Sequence, residues 1–163
     1  MTEPHQAAAD RADAHFHEHY NCAQSVLWGV TETHDLACPS CIPAVALAMG
    51  GGIGHTGRAC GALTGAVMSV GLAADRAVPG SISDRRDEAN RLTAALVHRF
   101  ADEFGATDCL ALLGFSWSEP DAVERWYRQR RRTCDRYVRW AAAEAACTIE
   151  DLDAGTLHES EDG

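Results

Sequence analysis

The chain has 163 residues, enough for one domain with a buried core, and a formal net charge of −10. All 14 strong cations are arginines, because lysine is absent. That balance argues against nucleic acid or an anionic membrane surface as the main partner, since both demand a positive face, and it removes a Walker A phosphate loop, which needs a lysine.

The pattern predicts an all-α fold, a compact single-domain helical bundle of about five to six helices, with no internal repeat and no strand. Residues 5–19 read as a first helix. Asn21 suits the N-cap of a second, which opens Cys22-Ala23-Gln24-Ser25-Val26-Leu27 and runs into the mid-thirties. Residues 35–43 read as a loop, and Pro43 fits the first turn of a short helix over AVALAM that the glycines at 50–52 end. A third long helix is expected over about 57–74, closed by the VPGS at 78–81. Ser83 is expected to cap the next, in which Ala89, Leu92, Leu96, Phe100 and Phe104 recur at helical spacing until Gly105. Asp108 caps a short CLALLG element, and Glu119-Pro120 opens a last helix reaching about Cys147. The domain is therefore drawn over 1–147, and the acidic stretch at 148–163 is expected to be a mobile tail. The opening MTEPHQAAADRADAHF lacks the basic and apolar regions of a signal peptide, and no window reaches ~18 continuous apolar residues, so the expected location is cytoplasmic without membrane insertion.

Seven cysteines in a reducing compartment point to metal, cluster or redox chemistry, because an odd count there does not make a disulfide framework. Packing of a small apolar side chain is the competing reading for any one of them. Cys22 and Cys109 each follow an N-cap residue and Cys60 falls in the opening turn of the third long helix, where free N–H groups and the helix dipole favour thiolate. On the last helix Val123, Trp126, Tyr127, Cys134, Val138 and Ala141 share a face, which aims Cys134 at the core with Arg130 one turn away.

The glycines around Cys60 cost helix propensity and so serve something else. Gly57, Gly61 and Gly65 recur every four residues and would form a bare stripe for close approach of another helix or a cofactor. The run Gly50-Gly51-Gly52-Ile53-Gly54 suits a loop whose exposed amides could bind sulfur or an anion.

Cys60-Gly61-Ala62-Leu63-Thr64-Gly65 is a CGAxxG motif. With NCAQSVL around Cys22, DCLALLG around Cys109 and TCDRYVRW around Cys134, it resembles the C_GCAxxG_C_C family of redox-active proteins over roughly residues 8–145. The resemblance implies a small helical protein with four family cysteines, Cys22, Cys60, Cys109 and Cys134, and a redox role in electron or sulfur handling. Cys38, Cys41 and Cys147 stand outside that pattern.

Three chemistries could use the four cysteines. An iron–sulfur cluster for electron transfer is favoured, with Cys22, Cys60, Cys109 and Cys134 as ligands and Gly61 beside them, because four thiolates are the standard set. Thiol–disulfide or persulfide exchange, with a low-pKa Cys60 and a resolving cysteine, is the alternative. Zinc is less favoured, since its structural sites draw on close C-x₂₋₄-C pairs. The Cys38-Pro39-Ser40-Cys41 stretch is a candidate redox dithiol, and Ile42 after Cys41 excludes a c-type haem attachment. Partners are expected to be a redox protein or a small sulfur or electron carrier, with homo-oligomerisation and enzymatic activity left open. A reading of another class is a helical partner-binding module whose cysteines only pack.

Three further features bear on function. Gly52-Ile53-Gly54-His55-Thr56-Gly57 fits G-x-G-x-x-G with Asp75 at the spacing of a ribose-binding acid, but a dinucleotide fold needs AVALAM as a strand and a parallel sheet around it. His15 and His19 would share a helix face as a two-histidine metal site, against the plainer reading of a solvated surface. Arg125, Arg128, Arg132, Arg136 and Arg139 form a stripe that, on so acidic a chain, reads as a charged solvent face or a contact with an acidic partner rather than as a nucleic-acid strip.

Overall fold

A computed structural model describes residues 3–36, 41–129 and 133–155. The described residues form seven α-helices and one 3-10 helix and contain no strand. α1 (Pro4–His17) starts on a proline, whose missing N–H has no partner to lose in a first turn. α2 (Cys22–Thr33) is capped by Asn21, whose side chain accepts from the N–H groups of Ala23 and Gln24, while Gln24 reaches back to the Asn21 N–H. A 3-10 helix (Ala44–Met49) leads through a glycine-rich turn to α3 (Gly61–Ala77). α4 (Ile82–Phe104) ends on Gly105 in the left-handed region, and α5 (Cys109–Leu113), α6 (Ala122–Gln129) and α7 (Cys134–Asp153) complete the chain.

α1 packs against α2 and α7, α2 against α3, and α3 against α7, so these four enclose the core while α4 lies along α3. Phe16, Val26, Val30, Val70, Leu96, Phe100, Val138 and Ile149 fill it. The helices come close because small residues face one another. A Cβ at Gly29 of α2 would stand 2.6 Å from the Ala12 nitrogen of α1, and one at Gly65 of α3 would stand 2.6 Å from the Ala23 oxygen of α2.

Several boundaries differ from the sequence reading for identifiable reasons. The third long helix begins at Gly61, so Cys60 is its N-cap and Gly57 lies outside the helix, in a turn with φ +75. The bare stripe is thus Gly61 and Gly65. The fourth helix is capped by Ser81, two residues before the expected Ser83, because Asp84 supplies the reciprocal bond of a capping box. The expected last helix is two, α6 and α7, with Thr133 as the N-cap of α7. This moves Cys134 from the middle of a helix to its first residue and leaves Val123 and Tyr127 each 57% exposed. Arg130 and Arg132 lie outside the described residues. α7 runs on to Asp153, past the boundary drawn at 147, because Ile149 and Leu152 are buried; the tail beyond residue 155 is outside the described residues.

The dinucleotide reading fails, since AVALAM is a 3-10 helix and the described residues hold no strand for a parallel sheet. Asp75 instead pairs with Arg85 at 2.9 Å. His15 pairs with Glu32 at 3.0 Å and stacks on Trp28, while His19 lies past the end of α1, so the two do not form a metal site. Arg125, Arg128 and Arg139 are each paired with acidic groups. No helix of the described residues is long and apolar enough to cross a membrane.

The α2–α3 approach generates a test. Gly65→Ala drives a methyl into the Ala23 carbonyl and is expected to destabilise the fold by about 1–3 kcal/mol in denaturant unfolding. Gly71→Ala, with open space around its Cβ on the same helix, should be neutral or stabilising.

Candidate functional site: four cysteines at four helix starts

Cys22 and Cys109 are the first residues of α2 and α5, Cys60 is the N-cap of α3, and Cys134 is the first residue of α7. Four helices therefore begin at these cysteines, which sets the positive ends of their dipoles beside the sulfurs. All four cysteines line one cavity of about 260 Å³, together with Gly61, His55, Trp117, Trp126 and Tyr137. Each is a free thiol, and Cys60, Cys109 and Cys134 are buried while Cys22 is partly so.

Backbone pairing sets the first two sulfurs side by side. The Cys60 N–H donates to the Thr107 carbonyl at 2.8 Å and the Cys109 N–H to the Arg58 carbonyl at 2.7 Å, around an antiparallel bridge between Ala59 and Asp108. Gly61 admits the third. A Cβ there would lie 3.2 Å from the Cys22 Cβ and 3.2 Å from the Met49 carbonyl, so a side chain would push α2 away from α3 at this point. Asn21 holds α2 in place from the other side, its amide donating to the Ala46 and Leu47 carbonyls at 3.2 and 2.9 Å. The fourth sulfur, on Cys134, accepts a hydrogen bond from the Cys22 thiol.

The glycine run before Cys60 builds a left-handed turn. Residues 51–55, Gly51, Gly52, Ile53, Gly54 and His55, all have positive φ, which glycine tolerates and Ile53 and His55 do not without strain. Its amides are used internally, Gly54 N–H to the Ala48 carbonyl at 2.8 Å and Gly57 N–H to the Gly51 carbonyl at 3.1 Å, so the exposed-amide role expected for the run is largely taken up by the turn itself. The turn stacks His55 on Trp117, ring centroids 4.4 Å apart, and the Trp117 ring N–H donates to Cys109 Sγ at 3.5 Å. Trp126 likewise bonds the Cys134 sulfur. His55, Trp117 and Trp126 were not singled out in the sequence as site residues; the one local signal is a histidine set inside a glycine run.

The electrostatics separate the four thiols. Burial pushes Cys60 up to about 12, against the Leu63 and Ala62 N–H groups that favour its thiolate. Cys22 is raised well above the ordinary thiol value, first by the hydrogen bond it donates to Cys134 and then by burial. Cys109 is raised by burial, offset in part by Trp117. Cys134 alone is lowered, by the Cys22 thiol first and then by Trp126 and Thr133. The acidic thiol of the site is therefore Cys134, which corrects the expectation of a low-pKa Cys60; burial outweighs the helix start there.

The remaining cysteines lie elsewhere. Cys41 is exposed and disulfide-bonded, and Cys38, its companion in the candidate dithiol, lies outside the described residues. Neither Cys41 nor Cys147 lines the cavity.

A family model described as "Putative redox-active protein (C_GCAxxG_C_C)" matches residues 20–147, a span that takes in all four helix-start cysteines. No curated protein and no solved structure matches the chain.

The thiolate fraction rises as pH approaches a thiol's own pKa. In metal-free protein, iodoacetamide modification of Cys134 should therefore begin at lower pH than that of Cys60, read by peptide mass spectrometry across a pH series. Modification of Cys60 ahead of Cys134 would contradict this ordering.

Proposed function

The chain belongs to the C_GCAxxG_C_C family, and from that premise we propose that it is a redox protein in which Cys22, Cys60, Cys109 and Cys134 hold an iron–sulfur cluster for electron transfer. The observation that carries the reading is the meeting of four thiols and four helix N-termini in one cavity. A bound cluster supplies one-electron exchange, and its four-thiolate ligation carries negative charge. The helix starts favour that charge.

The donor set fits such a group better than a single zinc ion. A tetrahedral zinc with four thiolates holds its sulfurs ~3.8 Å apart. Among the described residues these cysteines do not form a group of three or more ligand atoms within 4.8 Å of one another, the closeness that four thiolates on one zinc ion need.

The chain's own residues have distinct parts in this reading. Trp117 and Trp126 donate to the sulfurs of Cys109 and Cys134, which stabilises charge on those ligands and orients them. Gly61 keeps the Cys22 side from being wedged open. Val123 and Tyr127, both exposed beside the cavity, offer apolar surface to the electron donor or acceptor, a redox partner protein or small carrier.

One observation favours a second reading, thiol–disulfide exchange. The hydrogen-bonded pair of an acidic Cys134 and a protonated Cys22 is the arrangement of an attacking and a resolving thiol. Cys134 would attack one sulfur of a partner disulfide and expel the other as thiolate. Cys22 would then displace the bound sulfur, leaving a Cys22–Cys134 disulfide and a reduced partner.

Single substitutions separate these chemistries. In anaerobically purified protein, Cys60→Ser is expected to lose most of the bound iron and sulfide, whereas Cys147→Ala keeps the parental content. Exchange chemistry predicts instead that Cys134→Ser abolishes disulfide reductase activity while Cys60→Ser retains it. Equal iron content in Cys60→Ser and Cys147→Ala would refute the cluster reading.

A further inference from the structure

Cys147 is a free thiol that the four-cysteine cavity does not use. It stands on α7 three residues before Glu150, so the two side chains share one face of that helix. α7 packs against α1, which carries the small buried residues Ala8, Ala9 and Ala12, and Cys147 also borders a cleft toward α4 lined by Arg91, Leu92 and Arg99. His5, in the first turn of α1, completes a cluster there. One His5 ring nitrogen, Cys147 Sγ and a Glu150 carboxylate oxygen all lie within 4.8 Å of one another, and all three residues are partly buried.

A second observation points to a ligand at this place. Glu150 Oε1 is shielded from solvent and has no hydrogen-bond partner, and the Glu150 carboxylate also acts on His34, whose Nε2 is likewise shielded and unpartnered. A carboxylate oxygen removed from water without a partner is costly, and a cation is the partner that a carboxylate, a thiolate and an imidazole can share. The mixed nitrogen, sulfur and oxygen donor set suits zinc or a similar transition ion, because magnesium and calcium take oxygen ligands. The other close group, Asp13, His17 and Asp135, offers no sulfur, and its members already pair, His17 at 3.5 Å from each carboxylate and Asp13 at 3.3 Å from Arg139.

We propose that His5, Cys147 and Glu150 form a three-ligand site for a zinc-like divalent cation, which pins the start of α1 to α7 and leaves a fourth position for water. Binding deprotonates Cys147, whose proton passes to solvent, so uptake of the ion releases a proton. The site is separate from the redox centre and does not depend on its chemistry.

The test uses cobalt(II) as the probe, with the full chain and its Cys147→Ser, His5→Ala and Glu150→Gln variants, and iron and sulfide assayed on each sample. The parent is expected to bind one more equivalent of cobalt than Cys147→Ser, with a near-ultraviolet thiolate-to-cobalt band present only in the parent-minus-variant difference spectrum. His5→Ala and Glu150→Gln should each weaken uptake of that equivalent at least tenfold while iron and sulfide stay at the parental level. His5→Ala, at the beginning of α1, reads the same site if Cys147→Ser does not fold by circular dichroism. Equal cobalt uptake and no difference band between the parent and the folded variants would overturn the proposal, whatever the iron content shows about the four-cysteine cavity.

Discussion

Four helix N-termini converge on four cysteine sulfurs, three of them on buried residues, and most of the molecule's local irregularities follow from holding them there. The antiparallel pairing beside Ala59 and Asp108 sets Cys60 next to Cys109. Gly61 and Gly65 let α2 lie against α3 so that Cys22 reaches the same cavity. The division of α6 from α7 gives Cys134 a helix start of its own. Each device costs something in local propensity, and each is placed where a sulfur must be brought in or its charge balanced.

The same convergence creates an electrostatic imbalance. Burial drives Cys60 to about 12 and raises Cys22 and Cys109, leaving only Cys134 as an acidic thiol. Four helix dipoles therefore face a mostly neutral set of thiols. A bound cationic centre reverses that balance, because a coordinating thiol is deprotonated outright and the dipoles then meet negative charge. The tryptophan N–H groups on Cys109 and Cys134 add to the same effect. This is the physical link between the fold and the redox reading.

Much of this was legible in the chain, and the rest was hidden for specific reasons. Asn21 before Cys22 and Asp108 before Cys109 announce their helices, because a cap residue is a local signal. Ser81 was readable too, through Asp84 three residues on, yet Ser83 competed with it. The end of α6 was not readable. The RQRRRT stretch has no glycine or proline, so its sequence reads as continuous helix and carries no signal for the helix start at Cys134. The left-handed turn was half legible. Its glycines signal positive φ, but nothing local says that Ile53 and His55 follow them or that His55 then stacks on Trp117. Which thiol is acidic depends on burial and on a contact between α2 and α7, neither of which a motif contains.

In the proposed reading the four cysteines hold iron and sulfide together. The most direct measurement is an absorption spectrum of anaerobically purified protein, with iron, zinc and acid-labile sulfide assayed on the same sample. Iron and sulfide are expected in matching amounts with a visible charge-transfer band. A colourless protein without iron or sulfide, whose four thiols titrate freely, would contradict it and leave the Cys22–Cys134 pair as the redox centre.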